Sequence, residues 1–134
     1  MIRRVTVEDF PWCHAICNRA YPGEWDAVDG ELWFHDLMRR EDRYLARGNH
    51  CLLMGGVGKQ PYNLKKIAAS MEMLASDGKA GFEVVTIVRS FMDWGKRKGA
   101  IRFVFNSKAN VDFGPIADRV GARMHYGPTY VVEL

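Results

Sequence analysis

The stretch that decides the fold covers residues 67 to 105 and reads IAASMEMLASDGKAGFEVVTIVRSFMDWGKRKGAIRFVF. From Phe82 onward the apolar residues recur at spacings of three and four, which predicts a helix over Phe82 to Lys98 with one buried face. Gly99 follows as a residue suited to a left-handed helix cap. The apolar segments Ile67 to Ala75 and Ile101 to Phe105 are predicted strands. Strand, helix and strand form a βαβ unit, whose two strands we expect to be adjacent and parallel.

Length and composition narrow the class of protein. With 134 residues, of which 48% are apolar or aromatic and 26% charged, the chain 1–134 is predicted to be one domain. The net charge of +3 is mild, and acidic residues interleave with the basic ones, so nucleic-acid binding is not indicated. The start MIRRVTVEDF lacks an apolar signal region, and no run approaches the ~20 apolar residues of a membrane span. We therefore expect a cytoplasmic protein without a membrane partner.

The remaining elements follow from apolar spacing and from turn residues. The predicted order is β-α-α-β-β-β-α-β-α-β-β, an α/β (α+β) fold with a mixed sheet, in which two to three strands precede the central helix. The individual predictions are a strand over Ile2 to Val5, helices over Val7 to Ala20, Gly30 to Arg43 and Asp112 to Val120, a strand over Cys51 to Met54 ending at Gly55, a turn over Gly58 to Tyr62, and a closing hairpin over Arg123 to Tyr126 and Thr129 to Glu133.

This order resembles the GNAT superfamily of acyl-coenzyme A dependent N-acyltransferases. The resemblance rests on Ile2 to Asp9, on Gly99 to Val104, on Asn110 and on Arg119 to Ala122, and it covers essentially the whole chain. Short length and an aromatic-rich helix most resemble the GNAT-like proteins of tailed bacteriophages, some of which are acetyltransferases and some internal virion proteins. The resemblance implies acetyl-coenzyme A as cofactor, bound weakly or lost, and a small-molecule or protein amine as substrate.

In this family the cofactor pyrophosphate is held by backbone amides in a loop of pattern Gln/Arg-x-x-Gly-x-Gly/Ala before the crossover helix. The matching loop here runs from Ala75 to Gly81, with Ala75 in place of Gln or Arg. Asp77 adds a negative charge that Lys79 offsets. The resemblance assigns cofactor contacts to Gly78, Lys79, Ala80, Gly81 and Asn110. The alternative is that the loop is an ordinary strand-to-helix turn.

Glu72 is the candidate general base, because several GNAT enzymes use a Glu on the fourth strand to deprotonate the amine. Strand alternation places Glu72 on one face with Ser70, and Met71 and Met73 on the other. If the strand is buried, desolvation raises the pKa of this carboxyl toward neutrality, as a base requires. If that face is solvated, Glu72 is simply exposed. His50 is the second candidate.

The family commonly uses a Tyr in its last helix as the general acid, four residues before the closing Gly. That position holds Ala117, counted back from Gly121. Tyr126 and Tyr130 in the closing hairpin are aromatic residues that could approach instead. The loss of the Tyr lowers the expectation of catalysis without removing it.

Two functions from different classes therefore remain open. The first is an acetyl-coenzyme A dependent N-acetyltransferase with Glu72 as base. The second is a catalytically inactive GNAT fold kept for protein binding, in a virion or assembly protein that contacts phage structural proteins or itself.

Other motifs are weaker. A basic helix face with Arg39, Arg40, Arg43 and Arg47 is the remaining route to nucleic-acid binding. Gly55 to Gln60 lacks the spacing of a phosphate-binding P-loop. Cys13, His14 and Cys17 lack a second pair of ligands at zinc spacing, so we predict no metal site and expect buried thiols rather than disulfides.

Overall fold

The computed structural model describes residues 1–60, 62–105 and 112–122. The elements, in chain order, are β1 (Arg3–Arg4), α1 (Phe10–Ala20), α2 (Ala27–Arg39), β2 (Arg43–Arg47), β3 (Cys51–Gln60), β4 (Asn63–Ser76), α3 (Glu83–Arg97), β5 (Ala100–Phe105) and α4 (Gly114–Val120). A short 3-10 turn, Val7–Asp9, precedes α1. This α/β arrangement confirms the predicted fold class.

The strands of the sheet lie in the order in which they occur along the chain. Strands β1 to β4 pair antiparallel with their neighbours. Strand β5 pairs parallel with β4, with Ile67 opposite Ala100 and Met71 opposite Phe105. Helix α3 connects these two parallel strands, so the predicted βαβ unit is confirmed. Gly99 takes the predicted left-handed conformation after α3, with φ of 89°.

Apolar clusters cover both faces of the sheet. One cluster joins α3 and α4 to the sheet and includes Phe91, Val88 and Leu53. The other joins α1 and α2 to the opposite face and includes Phe34 and Leu52. Neighbouring residues of β3 therefore face opposite clusters, which explains why this strand has a continuous apolar run instead of an alternating one.

Two predicted boundaries around the second helix are wrong. Helix α2 begins three residues earlier than Gly30, because the Asp26 side chain accepts a hydrogen bond from the Asp29 amide at 2.9 Å and caps the helix. It ends at Arg39, since Arg40 is extended with ψ of 130°. Arg43 therefore belongs to β2, a strand that was not predicted from the sequence.

Strand β3 also continues past its predicted end at Gly55. A Cβ at Gly55 would lie 2.6 Å from Cε1 of Phe91, so the glycine is where the α3 aromatic ring approaches the strand backbone. A glycine is therefore found at position 55 because the Phe91 ring approaches the strand backbone closely, and not because the chain turns there. Among the described residues, no helix is long and apolar enough to cross a membrane. The predicted closing hairpin lies outside the described residues.

Candidate functional site

The regular pairing of β4 is interrupted at Glu72. On β3, Met54 pairs with Met73 and Gly55 pairs with Met71, so Glu72 is an extra residue with no partner in β3. A β-bulge of this kind resets the alternation of side chains along a strand. Met71 consequently packs under α3, while Met73 packs under α1 and α2. The prediction that Met71 and Met73 share one face is therefore wrong.

Within the described residues, the parallel pairing on the other edge of β4 reaches the residue just before the bulge. Pairing with β5 begins at Ile67 and, within the described residues, stops at Met71 opposite Phe105. The last part of β4, from Glu72 to Ser76, extends beyond that register. Strand β4 then leads into the loop before α3, at the carboxyl end of the parallel pair, which is the usual ligand position in α/β sheets.

An open groove of about 270 Å³ lies on the α1 and α2 side of this bulge. Its aromatic residues are Tyr21 and Trp25 from the α1–α2 connection and Trp33 from α2. Its acidic residues are Glu24 and Glu72. Two methionines, Met54 and Met73, complete the lining. Glu72 therefore faces a groove lined mainly by apolar side chains.

The Glu72 carboxylate itself is not buried. Its side chain is 41% exposed, and Oε1 accepts a hydrogen bond from Nη1 of Arg43 at 2.9 Å. The exposed alternative for Glu72 is thus the one observed. The Oε2 atom has no hydrogen-bond partner among the described residues.

Trp25 is held in the groove wall by two local features. Its Nε1 donates a hydrogen bond to Nδ1 of His14 at 3.2 Å. Its ring also lies directly against Gly30 of α2, where a Cβ would be only 2.8 Å from Cε2 of the indole. Gly30 therefore permits a close contact that any side chain would obstruct.

The loop between β4 and α3 uses two of its own amides internally. The Gly78 amide donates to Oγ of Ser76 at 3.0 Å, and the Lys79 amide donates to Oδ1 of Asp77 at 2.8 Å. Gly78 has a φ of 89°, a backbone conformation that residues with a Cβ atom rarely adopt. Two amides of the predicted cofactor loop are thus already hydrogen-bonded.

The next amides are differently placed. The amides of Gly81 and Phe82, at the start of α3, donate to no acceptor within the described residues. Free amides at the positive end of a helix dipole suit an anionic group such as a diphosphate. One of these available donors, the Gly81 amide, belongs to a predicted cofactor contact, whereas Phe82 was not among the predicted contacts.

His50 anchors this loop to β3. Its Nδ1 lies 2.7 Å from Oδ2 of Asp77, and its amide donates to Oε1 of Glu83 at 2.7 Å. Desolvation acts to raise the pKa of Asp77, but the hydrogen bonds from His50 and the Lys79 amide outweigh it and lower the pKa. His50 does not line the groove that contains Glu72.

Cationic side chains surround the loop and the start of α3. A side chain at Gly78 would begin 2.9 Å from Nη2 of Arg19, which belongs to the last turn of α1. The Arg119 guanidinium lies 4.7 Å from the ring centroid of Phe82. Arg19 was not among the predicted site residues, because only the tertiary packing of α1 brings it to a loop so distant in sequence.

A second groove, of about 350 Å³, lies between the start of α3 and α4. Its lining includes Gly81, Phe82, Ile116 and Arg119. Ala117, at the position where the family has a Tyr, is part of α4. The predicted cofactor contact Asn110 and the alternative acids Tyr126 and Tyr130 lie outside the described residues.

The basic helix face predicted from four arginines is not formed. Only Arg39 belongs to a helix, and it pairs with Asp36 at 3.0 Å. Each of the other three also has an acidic partner: Arg40 pairs with Asp42, Arg43 with Glu72, and Arg47 with Asp9. These charges are locally compensated and do not form one surface.

Cys13 and Cys17 are fully buried free thiols, as predicted, and so is Cys51. Burial raises the pKa of the Cys13 and Cys17 thiols to about 12, so neither is a thiolate near neutral pH. Within the part of the chain that the structure describes, no three His, Cys, Asp or Glu side chains form a potential metal site.

Comparison with known proteins gives a clear result for the fold. No protein family model and no curated protein matches the sequence. Solved structures do match. An aminoglycoside 6'-N-acetyltransferase from Acinetobacter haemolyticus has a TM-score of 0.75 at 10% identity, over 100% of this chain and 98% of that chain. A GNAT family acetyltransferase from Staphylococcus aureus has a TM-score of 0.69 at 11% identity, over 100% and 98%.

A transcriptional regulator from Bacillus halodurans has a higher TM-score than these two, 0.80 at 13% identity, over 98% of this chain and 99% of that chain. These likenesses span almost the full length of each protein. At such low identities they establish the fold alone. The chain therefore has the fold of the GNAT acetyltransferases.

Proposed function

We propose that this protein is an acetyl-coenzyme A dependent N-acetyltransferase that acts on an amine. The observation that carries the proposal is the bulge in β4. It turns the Glu72 carboxylate into a groove directly after Met71, which among the described residues is the last residue of β4 paired with β5, and on the strand that leads to the start of α3.

The residues around the start of α3 fit the diphosphate of the cofactor. The Gly81 and Phe82 amides are available as donors, the helix dipole adds positive potential, and Lys79 and Arg19 supply cations. Arg19 takes the part that the resemblance gives to Gln or Arg at the position of Ala75. Asp77 adds an anion nearby, so we expect binding to be weak.

The chemistry of the cofactor, when bound, is that of an acetyl group activated as a thioester. Glu72 accepts the proton of the attacking amine on Oε2, directly or through a water molecule, because Oε1 is engaged by Arg43. Acetyl-coenzyme A, when bound, would supply the acetyl carbon to which the deprotonated nitrogen binds and the thiolate that leaves as the carbon–sulfur bond breaks. Water would protonate this thiolate, since Ala117 provides no acid, and Glu72 would return its proton to the solvent to close the proton balance.

The test is an acetyl-transfer assay with a panel of amines, in which thiol release is followed and the acetylated product is identified by mass spectrometry. Replacing Glu72 by Gln keeps the shape but removes the proton acceptor, and we expect kcat to fall by ~10² to 10⁴. Glu41→Gln is the matched control on an exposed glutamate outside the groove. Activity of Glu72→Gln within a few-fold of wild type would exclude Glu72 as the base.

One observation favours the second candidate function. The Gly78 and Lys79 amides are satisfied by the side chains of Ser76 and Asp77, and Ala117 replaces the family acid. A GNAT fold that serves only for protein binding, as in a phage virion or assembly protein, needs neither free loop amides for a cofactor nor a general acid. Purified protein that neither binds acetyl-coenzyme A nor acetylates any amine, but co-assembles with phage structural proteins, would establish this role.

A further inference from the structure

The groove beside Glu72 has a composition that indicates which amines it accepts. Three of its side chains are aromatic and two are methionines, so most of its wall is apolar. Trp33 is 37% exposed, which is unusual for so large an apolar side chain. An exposed indole at the mouth of a groove offers a flat surface for a ligand ring.

The aromatic wall is also rigid. Trp25 is fixed by its hydrogen bond to His14 and by its contact with Gly30. Its ring centroid lies 6.4 Å from that of Trp33 and 5.5 Å from that of Phe34. The indoles therefore belong to a packed aromatic cluster, which gives the groove a preformed apolar surface.

Charge in the groove favours a single cation. Glu24 has no ion-pair partner among the described residues, whereas Glu72 is paired with Arg43. Together, the side chains of Glu24, Glu72 and Arg43 carry a net charge of −1. An ammonium group near Glu24 would gain both ionic attraction and contact with an aromatic face.

Size sets the remaining limit. A volume of about 270 Å³ is slightly below the range of drug-sized pockets, which begins near 300 Å³. One ring with a short chain fills this space, whereas a multi-ring polyamine would extend beyond it into solvent. A single unpaired carboxylate also leaves several ammonium groups of such a polyamine uncompensated.

We propose that the acceptor is a primary amine carried by one flat apolar ring, bound with its ring against Trp25 and Trp33 and its ammonium at Glu24. This inference depends on the proposed transferase function for the meaning of "acceptor", but the binding itself does not. The proton that Glu72 removes is then taken from an amine already held in the groove.

The test is calorimetric titration in the absence of any cofactor. The probes are 2-phenylethylamine, its uncharged analogue 2-phenylethanol and the polyamine kanamycin. We expect the amine to bind about tenfold more tightly than the alcohol and more tightly than kanamycin. Equal binding of the amine and the alcohol, or tighter binding of kanamycin, would overturn the proposal.

Two variants locate the site. Glu24→Gln should weaken 2-phenylethylamine about three- to fivefold and leave 2-phenylethanol unchanged, whereas Trp33→Ala should weaken both. Glu41→Gln and Leu32→Ala, at exposed positions outside the groove, should change neither. An unchanged amine affinity in Glu24→Gln, with the fold intact by circular dichroism, also contradicts the inference.

The outcomes separate the two proposals. Binding of 2-phenylethylamine without any acetyl transfer would refute the transferase function and leave the groove as an amine-binding site. Acetylation of other amines, with no binding or acetylation of 2-phenylethylamine, would refute the substrate class and leave the transferase function in place.

Discussion

The substitution Gly30→Ala sets two opposing effects against each other within α2. Gly in a helix interior is less favourable than Ala by about 1 kcal/mol, so propensity alone predicts stabilisation. However, the new Cβ would overlap Cζ2 of Trp25 and lie 2.8 and 2.9 Å from Cε2 and Cη2. Carbon atoms pack at about 3.5 Å or more, so the indole must move by roughly 1 Å.

That movement strains the hydrogen bond from Trp25 to His14, which is 3.2 Å long. Overpacking costs about 1 to 3 kcal/mol, and loss of a hydrogen bond about 1 kcal/mol. Set against a gain of about 1 kcal/mol, the net effect is a destabilisation of about 1 to 3 kcal/mol. For a domain of this size the melting temperature should fall by roughly 4 to 10 °C.

The assay is thermal unfolding followed by circular dichroism, with the near-ultraviolet signal as a reporter of the tryptophan cluster. Gly58→Ala is the control, because nothing lies within 4 Å of a Cβ at that position. We expect the control to be neutral or slightly stabilising. A rise in the melting temperature of Gly30→Ala, with an unchanged near-ultraviolet spectrum, would refute the close contact with Trp25.

Three further predictions follow from named contacts. The hydrogen bond from Arg3, with smaller contributions from Thr6, holds the pKa of Asp9 far below its usual range. The ionised Asp9 carboxylate therefore stabilises the fold fully above about pH 4, and this stabilisation is lost as the pH falls toward the folded-state pKa. Asp9→Asn should therefore lower stability at pH 7 by about 2 kcal/mol and flatten the loss of stability between pH 4 and pH 2, as measured by urea unfolding. Arg19→Gln should weaken acetyl-coenzyme A binding about threefold to tenfold in a titration at low salt, whereas Arg39→Gln, which is already paired with Asp36, should leave it unchanged. Gly95→Ala should destabilise the protein by about 1 to 3 kcal/mol in thermal unfolding, since a Cβ there would lie 2.6 Å from Cε1 of Phe103, and an unchanged melting temperature would contradict this packing of α3 on the sheet.

The βαβ unit could be predicted from the sequence because its signals are local. The apolar face of α3, the cationic residues at its end and the glycine cap all lie within one continuous stretch. The start of α2 was harder to predict, since Asp26 is a cap only if the chain already turns at that point.

The candidate site depends on contacts that no local pattern encodes. Met71, Glu72 and Met73 have the alternation of a regular strand, and only pairing with β3 reveals the bulge. Arg19 reaches the loop through the packing of α1 on the sheet, and Trp25 reaches the groove through contact with α2. Sequence reasoning thus identified Glu72 as a candidate, but not the groove or the cation that accompany it.

The most direct test of the transferase account is a thermal-shift titration with acetyl-coenzyme A. A ligand that binds only the native state stabilises it by about 2.7 kcal/mol at 100 times its dissociation constant, which raises the melting temperature of such a domain by several degrees. We expect a shift that appears only at high cofactor concentration and that decreases in Gly78→Val, with the stability of the unliganded variant measured alongside because Gly78 has a positive φ. No shift at millimolar acetyl-coenzyme A, in protein whose fold is confirmed, would contradict the account.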